Sequence, residues 1–251
     1  MVRVLSALLL TSCLLAADSL ADGKRLFAAR NWGGAVEALE RATADNPSSS
    51  EAWHWLGKAQ GRRAENANPL MAPRYAGKAR DAFEKAVQLN PRNLEAVSDL
   101  FSYYMEAPGF LGGGTDKAKR LADSHIQPVD KAEYQYALAK LAEDRKDWTA
   151  AERHYRSAMQ LAPASPGRAV DVAKFLSKRG RAQDAETMFA EIANKHPNNP
   201  RVVFERAANL VRSKQNPELA RTLLQQYMKL PIGIDDPPRS EAQKLLKSVG
   251  A

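Results

Sequence analysis

The stretch Ala132–Ser165, AEYQYALAKLAEDRKDWTAAERHYRSAMQLAPAS, divides into two short amphipathic segments around Asp144-Arg145-Lys146-Asp147. In the second segment Ala151, Tyr155 and Ala158 fall at i, i+4 and i+7, the spacing of a stripe buried along one helix face. Pro163 stops that helix, because proline has no N–H to donate and disfavours helix in the residue before it. A small residue at 151 lets two helices approach closely, and the ring at 155 fills the space between them. The stretch is a helix–turn–helix unit.

The cadence recurs. Ala35, Leu39, Ala42 and Pro47 keep the offsets of Ala151, Tyr155, Ala158 and Pro163, as do Ala79, Phe83, Ala86 and Pro91, and Ala185, Phe189, Ile192 and Pro197. Pro163 to Pro197 is one step of 34 residues, Pro91 to Pro163 is 72 (two steps plus four), and Pro47 to Pro91 is 44 (one step plus ten). The ten-residue excess is assigned to 64–72 and the four-residue excess to the glycine-rich run 107–115. Trp53-His54-Trp55-Leu56-Gly57 matches W-x2-L-G, with Gln60 standing where the pattern has tyrosine.

On these residues the chain resembles tetratricopeptide repeat (TPR) proteins. The Pro108-Gly109 turn, its following glycines and the lysine-rich helix start are similar to a loop in exported bacterial members. The resemblance implies an all-α fold, a right-handed TPR-type helical solenoid of about six helix–turn–helix units. Their expected limits are near 22–49, 50–93, 94–131, 132–165, 166–200 and 201–234, with a capping helix at 238–248 over the last apolar face. Gly23 takes the small first-helix position of unit one, and Trp32 and Trp148 each stand three residues before the alanine that opens the cadence. Both are expected at the turn into the second helix. Val97, Leu100, Phe101 and Tyr104 form the buried face of the third unit, and Thr115 is the expected N-cap of a helix over 116–126. The sixth unit keeps Ala220, Leu224 and Tyr227 but lacks proline at the matching position.

Composition agrees with a folded repeat array. Charged residues make up 26% of the 251, an ordinary fraction, and no alternating apolar pattern suggests strands. A net charge of +8 favours acidic partners or anionic surfaces without specifying nucleic acid.

Residues 1–21 read as a secretory leader: Arg3 precedes an apolar run from Val4 to Ala17 that is short for a membrane span. Cleavage after Ala21 satisfies the small-x-small rule through Ser19-Leu20-Ala21, and cleavage after Ala17 is the second option. The rival reading takes Leu10-Thr11-Ser12-Cys13 as a lipobox, although the apolar core ahead of Cys13 is short and the run continues past it. Either cut places the mature chain, with no transmembrane segment, in the periplasm or outside the cell. Removing the leader also removes Cys13, the single cysteine, so the mature chain carries no thiol in an oxidising compartment.

No catalytic constellation emerges. Gly109 to Gly114 has the G-x4-G spacing of a phosphate loop, but Thr115-Asp116 stands where Lys-Ser/Thr is required, and a helix precedes it. His54, His125, His154 and His196 fall in different units without metal-ligand spacing, and there is no G-x-S-x-G. The expectation is a protein that is not an enzyme and uses no metal or cofactor.

What remains is a surface. With Trp53 as position 4 of its unit, the stripe through positions 2, 5, 9 and 12 points away from the buried positions 4, 7, 8 and 11. In the TPR family that stripe lines the concave groove where partner peptides lie. Position 9 holds Lys24, Lys58, Ser102, Lys140, Lys174 and Asn209. The candidate groove residues are Lys24, His54, Lys58, Tyr136, Lys140, Lys174, Asn209 and Arg212. Glu51, Glu95 and Glu133 at position 2 lie seven residues before position 9, too far for direct pairing within one helix, and the row is equally readable as a solvated face. The family's carboxylate clamp of Lys, Asn and Arg is not reproduced, so chaperone C-termini are not carried over as ligands. The expectation is a scaffold or adaptor of the cell envelope that binds an extended acidic protein segment. The alternative is an envelope-assembly accessory that binds an anionic glycan or lipid headgroup.

Overall fold

A computed structural model describes residues 18–250, so residues 1–17 of the expected leader 1–21, with the lipidation candidate Cys13, lie outside the described residues. All regular structure among the described residues is helical. α1 covers 18–28, followed by α2 (Trp32–Asp45), α3 (Ser50–Glu65), α4 (Ala72–Leu89) and α5 (Leu94–Glu106). A 3-10 turn (Gly109–Leu111) leads into α6 (Thr115–Leu121), which runs on as a π turn (Ala122–Ile126). Then come α7 (Lys131–Asp144), α8 (Trp148–Leu161), α9 (Pro166–Lys178), α10 (Ala182–Lys195), α11 (Pro200–Ser213), α12 (Pro217–Lys229) and α13 (Arg239–Val249). Contacts group these into two compact units, Met1–Asp130 and Lys131–Ala251.

Within each unit the helices pair in order, and the cadence explains the pairing. Every alanine of the cadence is buried, as are Leu39, Phe83, Tyr155, Phe189 and Ile192. Four second helices end two residues before a proline: α2 before Pro47, α4 before Pro91, α8 before Pro163 and α10 before Pro197. Polar caps start many of the helices: Asn31, Ser49, Asn93, Asp147, Asn199 and Asn216 each accept a bond from the backbone N–H three residues on. The turns inside the pairs α1–α2, α7–α8 and α9–α10 are three residues long, with the middle residue left-handed: Arg30 (φ 59°), Lys146 (φ 59°) and Gly180 (φ 78°).

In the first unit the small position of the first helix faces the large one of the second. A Cβ on Gly23 would lie 2.5 Å from Leu39 Cγ, and one on Gly57 would lie 2.5 Å from Phe83 Cδ1. The ten-residue excess is only partly a loop. Compared with the α9–α10 pair, α3 has 16 residues instead of 13, α4 has 18 instead of 14, and the connection has six instead of three. Most of the insertion lengthens helices.

The glycine-rich loop also departs from expectation. Thr115 is the first residue of α6 rather than its cap; Gly114, at φ 144°, holds the cap position without a side-chain bond. A Cβ on Gly113 would fall 1.8 Å from the Ala107 carbonyl oxygen, so the chain can double back there only as glycine. The π turn then accommodates an extra residue and keeps Ala118, Ala122 and Ile126 on one buried face. Tyr104, expected on the buried face, is only half-buried, and its hydroxyl donates to Glu84 Oε1 at 2.8 Å.

In the second unit α13 covers the end. Leu245, Leu246 and Val249 pack on the cluster of Leu210, Leu223, Leu224 and Tyr227, and Arg221 Nη2 donates to the Val249 carbonyl at 2.7 Å. The proline missing from the sixth cadence is present one residue early, as Pro231, and α12 ends at Lys229. The two tryptophans ahead of the cadence differ. Trp32 stacks edge-on against Phe27 at 4.9 Å, whereas Trp148 is at the surface under the Arg179 guanidinium, 4.0 Å from the ring centroid.

Candidate functional site

The first helices of successive pairs present a charged wall, described for each unit in turn. In the first unit α1 contributes Lys24, α3 contributes Glu51, Trp55 and Lys58, and α5 contributes Asp99. Lys24 donates to Glu51 of the next pair. The Lys24 and Lys58 ammonium groups lie 5.4 and 4.8 Å from the centroid of Trp55, whose other contact is the edge of Phe27.

In the second unit the wall is a ladder of ion pairs running α7 to α9 to α11. Arg168 donates to Glu133 and, at 3.1 Å, to Asp171 Oδ2, while Arg201 reaches Asp171 Oδ1 at 2.8 Å. Lys174 donates to Glu205 Oε1 at 2.5 Å, and Lys178 and Lys140 approach Glu143 at 3.6 and 3.8 Å. Arg212 is exposed and makes no ion pair among the described residues. Five cations thus pair with four carboxylates, and Arg212 brings the excess to two positive charges.

Tyr136 is clamped in this ladder. Its ring lies 4.3 Å from the Arg168 guanidinium and 5.9 Å from Tyr155. Burial, and secondarily the Asp171 charge, pushes its hydroxyl up to about 12, with Arg168 pulling the other way. Asp171 is itself raised by burial, which outweighs the pull of Arg201 and Arg168.

Two expected groove residues are corrected. His54 is 2% exposed, and its Nε2 lies 2.7 Å from Asp99 Oδ2, so it serves inside the α3–α5 contact and does not face a partner. Asn209 is 0% exposed, on the helix against which both α12 and α13 pack. Neither of its amide atoms has a hydrogen-bond partner. The lysines Lys24, Lys58, Lys140 and Lys174 are half-buried, and carboxylates interrupt their row. Reading one helix at a time missed the pairs, because Lys24–Glu51, Arg168–Glu133 and Lys174–Glu205 join residues 27, 35 and 31 apart in sequence. The near-repeat spacing of opposite charges was the available signal.

The glycine-rich loop is built as a platform. The Leu111 carbonyl accepts from Arg80 Nη1 at 3.1 Å and Tyr103 Oη at 2.8 Å, and Lys117 Nζ donates to the Gly112 carbonyl at 2.9 Å. Phe110 stands out from it at 81% exposure. Among the described residues there is no group of His, Cys, Asp or Glu suited to hold a metal ion, and no helix is long and apolar enough to cross a membrane.

Stacked antiparallel helix pairs with an alanine–aromatic interface define a helical-repeat protein. Two family models described as Tetratricopeptide repeat match residues 20–67 and 142–203. Among solved structures, the chain is similar to TTC0263, a thermophilic TPR protein of Thermus thermophilus (TM-score 0.60, 20% identity, 78% of this chain and 99% of that one). It is also similar to pilF of Pseudomonas aeruginosa (TM-score 0.54, 16% identity, 93% of this chain and 99% of that one). A curated relative, Cellulose synthase operon protein C of Pseudomonas fluorescens (strain SBW25), is 25% identical over 136 residues, half of this chain but a tenth of that protein's length. Residues 20–67 and 142–203 thus match tetratricopeptide repeats, the fold is that of tetratricopeptide-repeat structures, and both support a protein–protein interaction scaffold.

Proposed function

We propose that this chain is a non-catalytic scaffold of the cell envelope that holds extended acidic protein segments against the first-helix wall of each unit. The observation that carries the reading is the wall itself: lysines recur at position 9 in four of six units, and two of them, Lys24 and Lys174, are bridged by carboxylates of the next pair. An exposed pair such as Lys24–Glu51 contributes only about 0.2–1 kcal/mol, so a partner carboxylate can replace Glu51 with little net loss. The excess of positive charge in the second unit, with Arg212 at its end, supplies attraction and speeds encounter.

Export is proposed on the leader pattern of residues 1–21, and the printed name of the Pseudomonas relative supports an envelope setting. Of the two cuts, the one after Ala17 keeps every described residue of the first helix in the mature chain. The cut after Ala21 would remove Leu20, which packs on the cluster around Phe27, Val36 and Leu39. N-terminal sequencing of exported protein is expected to begin at Asp18; a lipidated Cys13 or an intact leader would refute this part.

Affinity capture from envelope extract tests the wall. The triple change Lys58→Glu, Lys140→Glu, Lys174→Glu is expected to abolish capture of the partner while helix content is retained. The matched triple Arg41→Glu, Lys195→Glu, Lys229→Glu, at exposed second-helix positions, is expected to keep it. Equal loss in both triples would make net charge the cause and remove the wall from the account.

A further inference from the structure

A pocket of about 800 Å³ opens in the second unit between α8 and the turn from α9 into α10. None of the wall residues lines it. Four guanidinium groups do, from two elements: Arg153 and Arg156 on α8, and Arg179 and Arg181 in the turn from α9 into α10. The pocket's own lining holds a single carboxylate, Glu152.

That carboxylate orients more charge than it neutralises. Glu152 Oε1 accepts from Arg156 Nε at 2.9 Å and Nη2 at 2.7 Å, and Oε2 accepts from Arg181 Nη1 at 2.9 Å. Arg181 Nε is held by Asp184 at 2.7 Å. Burial alone would raise the Glu152 carboxyl, but the Arg156 hydrogen bond and the charges of Arg181 and Arg156 together hold it below its ordinary value. Arg179 is held in another way, over the Trp148 indole with its guanidinium carbon 4.0 Å from the ring centroid, and Trp148 is 36% exposed. Arg179 and Arg153 have no carboxylate partner among the described residues, and both are exposed.

Guanidinium groups held in place by a carboxylate and an indole lose little freedom when they bind a further oxyanion. Counting Asp184, the cluster keeps an excess of two positive charges. A lone carboxylate supplies one negative charge and two acceptor oxygens; a phosphomonoester supplies nearly two charges and three oxygens, which matches the forked donors more fully. Thr149, Ser157 and Gln160 add neutral donors along the lining.

We propose that this arginine-lined pocket is an oxyanion site that takes a phosphomonoester, carried on a peptide side chain or on a free small molecule. It is independent of the wall, and the two fail separately.

The test titrates the full exported chain at low salt with O-phospho-L-serine, with a short phosphoserine peptide, and with serine and glutamate as controls. Arginine Nε–H and tryptophan indole N–H resonances are followed. Both phosphorylated probes are expected to shift Arg156, Arg179, Arg181 and Trp148, whereas serine does not and glutamate binds at least about tenfold more weakly. A peptide preference identifies the carrier as protein, and equal affinity identifies a free phosphomonoester. Arg153→Ala with Arg179→Ala should weaken binding by about tenfold or more with helix content unchanged, while Lys58→Glu, Lys140→Glu, Lys174→Glu leaves it in place. Absence of shifts at these four residues, glutamate binding as well as phosphoserine, or undiminished affinity of the double variant would overturn the proposal.

Discussion

Gly57→Ala sets two effects of known size against each other. Alanine favours helix over glycine by about 0.8–1 kcal/mol in a helix interior. At Gly57, however, the added Cβ falls 2.5 and 2.6 Å from Cδ1 and Cε1 of Phe83, which is 7% exposed and packs near the His54 ring at 6.1 Å. The ring cannot retreat without displacing α4, and overpacking of this kind costs about 1–3 kcal/mol. The net expectation is a loss of up to about 2 kcal/mol. Gly61 and Gly77 lie in the same helix pair, and a Cβ added at either would meet nothing within 4 Å, so Gly61→Ala and Gly77→Ala should each gain about 0.8–1 kcal/mol. Urea unfolding followed by far-ultraviolet circular dichroism gives the net values. Amide exchange in α3 and α4 localises them, because a repeat contacts only its neighbours. In a Phe83→Ala background the penalty at Gly57 should largely disappear, because the atoms it meets are gone. Should Gly57→Ala stabilise the chain as much as Gly61→Ala does, the close approach of α3 and α4 would be refuted.

Other outcomes follow from single features. Lys146 holds a left-handed backbone at φ 59°, so Lys146→Gly should stabilise the α7–α8 turn by about 1 kcal/mol in chemical denaturation. Asn209→Leu removes a buried amide with no hydrogen-bond partner and should gain about 1–3 kcal/mol, and a loss instead would mean that the amide is satisfied in solution. Because the folded Tyr136 value lies above the unfolded one, its contribution is complete below pH about 10 and is lost as pH rises toward about 12. Tyr136→Phe should therefore delete one late phenolate step in an ultraviolet titration and blunt alkaline unfolding. Ala185→Leu overpacks a fully buried interface and should lower exchange protection in α9–α11 by about 1–3 kcal/mol while sparing α1–α4; uniform loss along the chain would contradict nearest-neighbour stacking.

The parts of the fold legible in the sequence are those set by local spacing. Ala151, Tyr155, Ala158 and Pro163 declare a buried face and its end within thirteen residues, and their copies declare the register. The parts that were not legible depend on distant chain. His54 carries a polar side chain at a nominally exposed position, yet Asp99, 45 residues away, makes burial possible. Asn209 keeps the groove register, yet it is fully buried on α11, a helix that packs against both α12 and α13. The lysine row was visible and its neutralisation was not, since Glu51 and Glu205 belong to the following pairs. Insertions were located from the proline intervals. Their conversion into longer helices α3 and α4 and into a π turn reflects packing that no interval records.

Lysine acetylation footprinting, with and without the captured partner, tests the scaffold reading most directly, because it asks which surface the partner covers. The account predicts that the partner slows acetylation at Lys24, Lys58, Lys140 and Lys174 and leaves Lys85, Lys195 and Lys229 unchanged. Protection confined to Lys85, Lys195 and Lys229, with the four wall lysines reacting as they do in the free chain, would contradict it.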